Sequence, residues 1–307
     1  MQDILSTIIA EKREALKAQK RLISPQQMEE EALATLAAAS QPRQSMRQAL
    51  AQSPTGIIAE FKRRSPSKGW IKQEADPMVI PPAYEKAGAS ALSILTNEPF
   101  FGGRLDDLRQ ARPLTALPIL RKEFIIDPYQ VDEAAIAGAD AILLIAACLT
   151  LDEAHLLAAH AHRRGLEVLL EIHDANELKY IAIKPDMIGV NNRHLGSFVT
   201  DVSHSFQLAE QLPGALQHYL PDYAPDALRH PQTIQAPDAL KHHFPGQAAE
   251  SAPVLVSESG ISKPETICQL RRTGFRGFLI GETFMKNPQP AETLSAMVSQ
   301  ILNSSAL

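Results

Sequence analysis

An ammonium and a carboxylate two positions apart, Lys62 and Glu60, close the apolar run Gly56-Ile57-Ile58-Ala59 and precede a Ser65-Pro66 corner. On an extended strand residues i and i+2 share a face, and at the mouth of a closed parallel barrel that face is the interior. The segment equally fits a surface strand end with a solvated ion pair. Later runs repeat the arrangement and weigh against that bland alternative. Lys122 and Glu123 follow Pro118-Ile119-Leu120, and Glu171 follows Val168-Leu169-Leu170. Asn191, Asn192 and Arg193 follow Ile188-Gly189-Val190, while Glu258, Ser259 and Gly260 follow Val254-Leu255-Val256. Gly281 and Glu282 follow Phe278-Leu279-Ile280. Acids, lysines and an arginine on one rim shift one another's pKa values and supply proton donors and acceptors, which is the equipment of acid–base catalysis.

Each residue also has a plainer reading. Lys122 fits a cation at a helix start, Glu171 a helix cap, and Asn191 and Asn192 turn residues that tolerate positive φ. Glu282 fits a carboxylate complementing a helix dipole. His173 and His194 read as rim residues rather than acid–base groups. Ser259-Gly260 and Gly281, after consecutive strands, suit a phosphate, because small residues let backbone N–H groups approach an anion. Phe61, Phe101, Phe124, Leu143 and Leu195 could line a slot for an aromatic ring, and each equally fits the core.

Such ends meet only if the strands that carry them are parallel and closed. Strands are expected at Gly56 to Phe61, Ala89 to Leu95, Pro118 to Arg121, Ala139 to Ala146, Leu166 to Ile172, Met187 to Val190, Val254 to Val256 and Gly277 to Ile280. Helical stretches alternate with them, the pattern of βα units. Gly88, Gly138, Gly165 and Gly274 stand where helices should end. The fold class is therefore α/β, a single (β/α)8 TIM barrel. Residues 1–50 read as an N-terminal helical extension belonging to the barrel domain, with apolar spacing at Ile4, Ile8 and Leu16 and a second helix from Ser24-Pro25 to about Ala38. Residues 51–307 form the barrel. Between Val190 and Val254 lie 63 residues, where one helix, about Val202 to Leu212, would suffice. The surplus, an insertion between strands six and seven at about 213–252, carries six prolines and His218, His230, His242 and His243. No pair of those histidines has i, i+4 ligand spacing beside a carboxylate, so the insertion reads as a solvated elaboration and not a metal site.

Composition limits the function classes. The 307 residues are 45% apolar and 21% charged, with a net charge of −5. No overall basic field exists, so nucleic acid and anionic membrane are poor partners and any anion site must be local. Cys148 and Cys268 lack CxxC spacing and read as buried structural thiols in a reducing compartment. Neither a signal peptide nor an apolar run of membrane-spanning length is legible, which predicts a cytoplasmic protein. The residues alone thus reach a barrel enzyme performing acid–base chemistry on a phosphorylated small molecule. A lysine-dependent aldolase, with Lys122 as a neutral nucleophile, and a non-catalytic sugar-phosphate-binding barrel are the competing readings.

Six ordered motifs carry a closer resemblance. They are Ile58-Ala59-Glu60-Phe61-Lys62-Arg63-Arg64-Ser65-Pro66-Ser67, Leu92-Ser93-Ile94-Leu95-Thr96, Lys122-Glu123-Phe124-Ile125-Ile126-Asp127, Ile188-Gly189-Val190-Asn191-Asn192-Arg193, Ser257-Glu258-Ser259-Gly260-Ile261 and Phe278-Leu279-Ile280-Gly281-Glu282. Together they resemble indole-3-glycerol phosphate synthase from about residue 3 to 300, apart from the insertion. The resemblance implies a (β/α)8 barrel whose N-terminal helices help cover the substrate. It implies conversion of 1-(2-carboxyphenylamino)-1-deoxyribulose 5-phosphate to indole-3-glycerol phosphate, carbon dioxide and water, in tryptophan biosynthesis. By motif position Lys122 resembles the general acid and Glu171 the acid–base partner in dehydration. Glu60 and Asn191 resemble residues orienting substrate hydroxyls and the catalytic lysine, and Lys62 a cation for the substrate's anionic groups; the resemblance does not separate the two lysines as proton donors. Ser259, Gly260, Gly281 and Glu282 take phosphate-loop positions; Phe101, Phe124, Leu143 and Leu195 take ring-binding positions. Ser65, Arg193, Glu258 and Ile280 complete the implied binding set. His194 stands where the family often has Asp. No cofactor and no metal are implied, because the nitrogen-conjugated ring is itself the electron sink. The implied chain is the synthase barrel alone, a monomer or weak oligomer, with contact to other tryptophan-pathway enzymes left open.

Overall fold

The computed structural model describes residues 4–39, 42–194, 199–220 and 252–304. Among these, eight parallel strands close a barrel: β1 (Ile57–Phe61), β2 (Ala91–Leu95), β3 (Ile119–Lys122), β4 (Ala141–Ile145), β5 (Glu167–Ile172), β6 (Met187–Asn191), β7 (Val254–Glu258) and β8 (Gly277–Ile280). Each pairs with the next, and β8 returns to β1 through Ile57 opposite Phe278 and Ala59 opposite Ile280. The observed strands match the expected ones but reach further at three ends, so that Lys122, Asn191 and Glu258 are the last residues of β3, β6 and β7. A chemical residue at a strand's final position is held by ladder hydrogen bonds below it while its side chain faces the mouth.

The period of two sorts the strands into two cores. Ile58, Ala91, Leu120, Leu143, Leu169, Met187, Val256 and Leu279 fill the interior. Ile57, Leu92, Ile119, Leu144, Val168, Ile188, Leu255 and Phe278 face outward into the helix layer. At roughly 1.5–3 kcal/mol for each large apolar side chain removed from water, these two layers dominate the favourable side of the folding balance. Phe61 belongs to the outer core, with the Arg63 guanidinium 4.9 Å above its ring, so of its two readings the core one holds.

Three helices precede the barrel: α1 (Ile4–Leu22), α2 (Pro25–Ala38) and α3 (Met46–Gln52). Ser24 and Gln27 form a capping box at the start of α2, where Ser-Pro predicts it. Leu16 of α1 and Met28 of α2 pack against Tyr129 of the helix Pro128–Ala137. Helix α3 is legible in no motif of the sequence. It plugs the N-terminal end of the barrel with fully buried Met46 and Leu50, and Ser45 Oγ and the Arg47 N–H donate to Glu167 at the start of β5.

Two expectations are corrected. The helix between β6 and β7 runs Ser203–Tyr219, past Pro213, instead of ending near Leu212. Its apolar stripe Leu208, Leu212 and Leu216 stays buried across the proline, and that burial outweighs the one hydrogen bond the proline cannot make. Of the expected insertion, residues 221–251, with His230, His242 and His243, lie outside the described residues. Cys148 and Cys268 are thiols but half-buried rather than buried, since each sits at the edge of the core.

Candidate active site

Lys122 is the centre of the rim. Its Nζ donates to Glu171 Oε2 at 2.9 Å and to Glu258 Oε2 at 3.1 Å, joining β3, β5 and β7. Asn191, at the end of β6, donates through Nδ2 to Glu171 Oε1 at 3.1 Å and accepts from the Arg193 N–H through Oδ1. On β1, Glu60 accepts from Lys62 at 2.5 Å. Glu60 thus bonds Lys62 and acts on Lys122 through its charge, while Asn191 bonds Glu171, the partner of the lysine. Lys62 stands just past the end of β1, two residues from Glu60, whereas Lys122 projects toward β5 and β7.

These charges are buried, and burial sets their chemistry. Desolvation pushes the Lys122 ammonium down, but Glu171, Glu258 and Glu60 together hold it well above the ordinary lysine range. Burial also raises Glu171, yet Lys122, His173 and Asn191 reverse this and keep its carboxyl far below the usual range. Glu258 goes the other way, pushed up by burial and by Glu171 more than Lys122 pulls it down. Contacts explain the split: both Glu171 oxygens have partners, whereas Glu258 Oε1 is buried without a hydrogen bond. The two carboxyls interact through Lys122, and the opposite shifts favour a proton on Glu258 over one on Glu171.

Two glycines make room for the carboxylates. A Cβ at Gly189 would collide with Glu258 Oε1, and one at Gly281 with Glu60 Oε1. Gly281 thus serves Glu60 as well as any anion its backbone could meet. Ser259, by contrast, takes φ +68°, left-handed backbone for a residue with a Cβ, followed by Gly260 at +78°. Such a conformation costs about 1–3 kcal/mol and turns the chain sharply at the end of β7.

The rim opens into a cavity of about 610 Å³ lined by Glu60, Lys62, Lys122, Glu171, Asn191 and Glu258. Ser65, Arg193, Ser259, Gly260, Gly281 and Glu282 line it too. Ser65 Oγ is buried there without a hydrogen-bond partner, and Arg193 reaches Ser67 Oγ at 2.9 Å and Glu282 at 3.7 Å. The apolar part is Phe101 and Phe124, ring centroids 6.1 Å apart, with Leu143. Ile280 reaches the cavity at the strand end, but its side chain packs in the outer core. Leu195 lies outside the described residues.

Several neighbours escaped sequence reasoning. Ile4, Leu5 and Ile8 of α1 line the cavity, residues that the implied N-terminal cover does not single out. Glu123 does not join the Lys122 cluster. It is buried under Thr96, Asn97 and the Phe124 N–H and takes Lys12 of α1 at 2.9 Å. Asn192 has no positive φ, contrary to the turn alternative; it ties Ser257, Glu258, Ser259 and Ser205 together. His173, expected as a rim residue, lies against Glu171, its Nε2 3.2 Å from Oε1.

A closed parallel barrel with buried lysine and carboxylates at the C-terminal mouth, and a strained Ser-Gly loop beside them, defines a (β/α)8 enzyme for a small anionic substrate. The family model described as Indole-3-glycerol phosphate synthase matches residues 5–219 and 240–297. The chain belongs to that family, carboxy-lyases of tryptophan biosynthesis. An indole-3-glycerol phosphate synthase of Bacteroides thetaiotaomicron is 55% identical over 98% of this chain and 100% of its own length. One from Azoarcus sp. is 38% identical over 97% and 99%. A mutant tryptophan synthase alpha-subunit of Pyrococcus furiosus superposes with a TM-score of 0.54 at 13% identity, over 81% of this chain and 98% of that one, a likeness of fold alone.

Proposed function

We propose that this chain closes the indole ring of indole-3-glycerol phosphate from 1-(2-carboxyphenylamino)-1-deoxyribulose 5-phosphate, with loss of carbon dioxide and water. The observation that carries the reading is Lys122, charged and wedged between Glu171 and Glu258 at the floor of a cavity with an apolar end. Phe101, Phe124 and Leu143 take the carboxyphenyl ring, and Ser259, Gly260, Gly281 and the Glu282 N–H take the phosphate. Lys62 and Arg193 balance the substrate's anionic groups. Ser65 offers a hydroxyl, and Leu195 and Ile280 complete the walls.

Ring carbon attack on the C2 carbonyl needs a proton on the developing alkoxide, which Lys122 supplies. Loss of carbon dioxide then restores aromaticity. In the last step the C2 hydroxyl leaves as water on a proton from the Lys62 ammonium, while Glu171, held by Asn191, takes the proton released from the adjacent carbon. Glu60 holds Lys62 in place beside the substrate. A charged Lys122 disfavours the aldolase reading, which needs a neutral amine. Residues 1–50 work as part of the barrel domain, since α1 supplies part of the cavity wall. A cytoplasmic setting is in keeping with two thiols and with described helices none of which is long and apolar enough to cross a membrane.

The test is incubation with the carboxyphenylamino ribulose phosphate while indole fluorescence is followed against the constant background of the lone tryptophan, Trp70. Lys122→Ala is expected to lower kcat about 10³-fold or more with KM within a few-fold, because the proton is given in the transition state. Near-wild-type turnover would overturn the assignment, and trapping of substrate on Lys122 by borohydride would favour the aldolase.

A further inference from the structure

The two oxygens of Glu171 are held differently. Oε2 takes Lys122, whereas Oε1 takes Asn191 and stands 3.2 Å from His173 Nε2. His173 is the first residue past β5, two beyond Glu171, so the strand period turns both inward. On its other side His173 Nδ1 is 3.5 Å from Glu177 Oε2, and that oxygen also accepts the His173 backbone N–H at 2.6 Å. Glu177 lies in the first turn of the helix Ala175–Ile183, capped by Asp174, so it is fixed from below. The ring nitrogens are buried and within ion-pair reach of both carboxylates, but off the hydrogen-bond axis of either. Contacts of this kind tighten when substrate fills a site.

We propose that His173 is a positioning residue for Glu171, an imidazolium clamped between Glu171 and Glu177 that keeps Glu171 ionised while Lys122 gives up its proton. The inference rests on the reaction proposed above. When the Lys122 N–H bond breaks and the alkoxide O–H bond forms, Lys122 becomes a neutral amine. Glu171 then loses the cation on its Oε2, and the other acids that face Lys122, Glu258 and Glu60, supply no positive charge in its place. Without a second cation Glu171 would bind a proton and could not accept the one released in dehydration. Asn191, its partner on β6, is neutral and cannot supply that charge. His173 can. Burial pushes its imidazole down, but the two carboxylates raise it to about 10, so it stays charged throughout the neutral range.

The experiment compares wild type, His173→Gln and Glu177→Gln. At neutral pH the His173→Gln enzyme should lose about tenfold in kcat with KM within about twofold, and the acidic limb of kcat against pH should move up by about one unit. Glu177→Gln should do the same in smaller measure, while keeping a donor or acceptor in place if the first variant folds poorly. Independently of substrate, the His173 ring followed by NMR should titrate above about 8 in wild type and at least about one unit lower in Glu177→Gln. A variant pH profile superimposable on wild type, or a wild-type ring titrating near its ordinary value, overturns the clamp. If wild type fails to turn the substrate over, the reaction reading fails instead, and the ring titration still decides the clamp.

Discussion

Lys122, Glu171 and Glu258 form a triad in which the two acids divide their roles by the number of partners each finds. Glu171 has three and its carboxyl is held down; Glu258 has one lysine and a bare oxygen, and its carboxyl is pushed up. That bare oxygen sits against Gly189, opposite Glu171 in the β5–β6 register. A methyl group at this point cannot coexist with Glu258 where it now stands. Gly189→Ala is therefore expected to move Glu258 off Lys122 and lower kcat by about ten- to a hundredfold, roughly 1.4–2.7 kcal/mol of barrier. Steady-state kinetics beside circular dichroism checks this; unchanged kcat in a folded variant would mean that Glu258 can shift without consequence.

At the level of elements, α1 is the part whose position the barrel does not dictate. It is tied to the rim by Lys12 to Glu123 at 2.9 Å and Lys20 to Asp127 at 2.6 Å, on either side of the Phe124 loop. Its residues Ile4, Leu5 and Ile8 then cover the cavity. A half-buried pair of this sort is worth on the order of 1 kcal/mol, and Glu123 keeps its Thr96, Asn97 and Phe124 donors when Lys12 is lost. Lys12→Met should accordingly raise KM about three- to tenfold with kcat nearly unchanged, and speed amide exchange in α1. Equal loss in kcat would place Lys12 in the chemistry instead of the cover.

Across the whole molecule, a large apolar barrel carries a site that is locally unfavourable: a strained Ser259, an orphan oxygen on Glu258 and several buried charges. Stability is given up there for function, and pH exposes it. The folded carboxyl of Glu258 is raised from the ordinary range to about 7. Its contribution is present below the unfolded value and lost as pH rises through the folded one. Urea unfolding of Glu258→Gln and wild type should therefore show the variant gaining on wild type between about pH 4.5 and pH 7, with activity lost. A pH-independent difference would show that Glu258 titrates normally.

The strand pattern, the fold class and the placing of Lys122, Glu171, Asn191 and Glu258 at the mouth were all determined by the order of residues. Strand periodicity is local, and a parallel barrel sends every strand end to one face. Which charge meets which was decided only by tertiary structure. Lys122 finds acids 49 and 136 residues away, on β5 and β7. The same holds for α3 as a plug and for Glu123 as the anchor of α1. Pairing between side chains distant in sequence depends on register, tilt and burial summed over the closed barrel, and no short stretch of residues contains that sum.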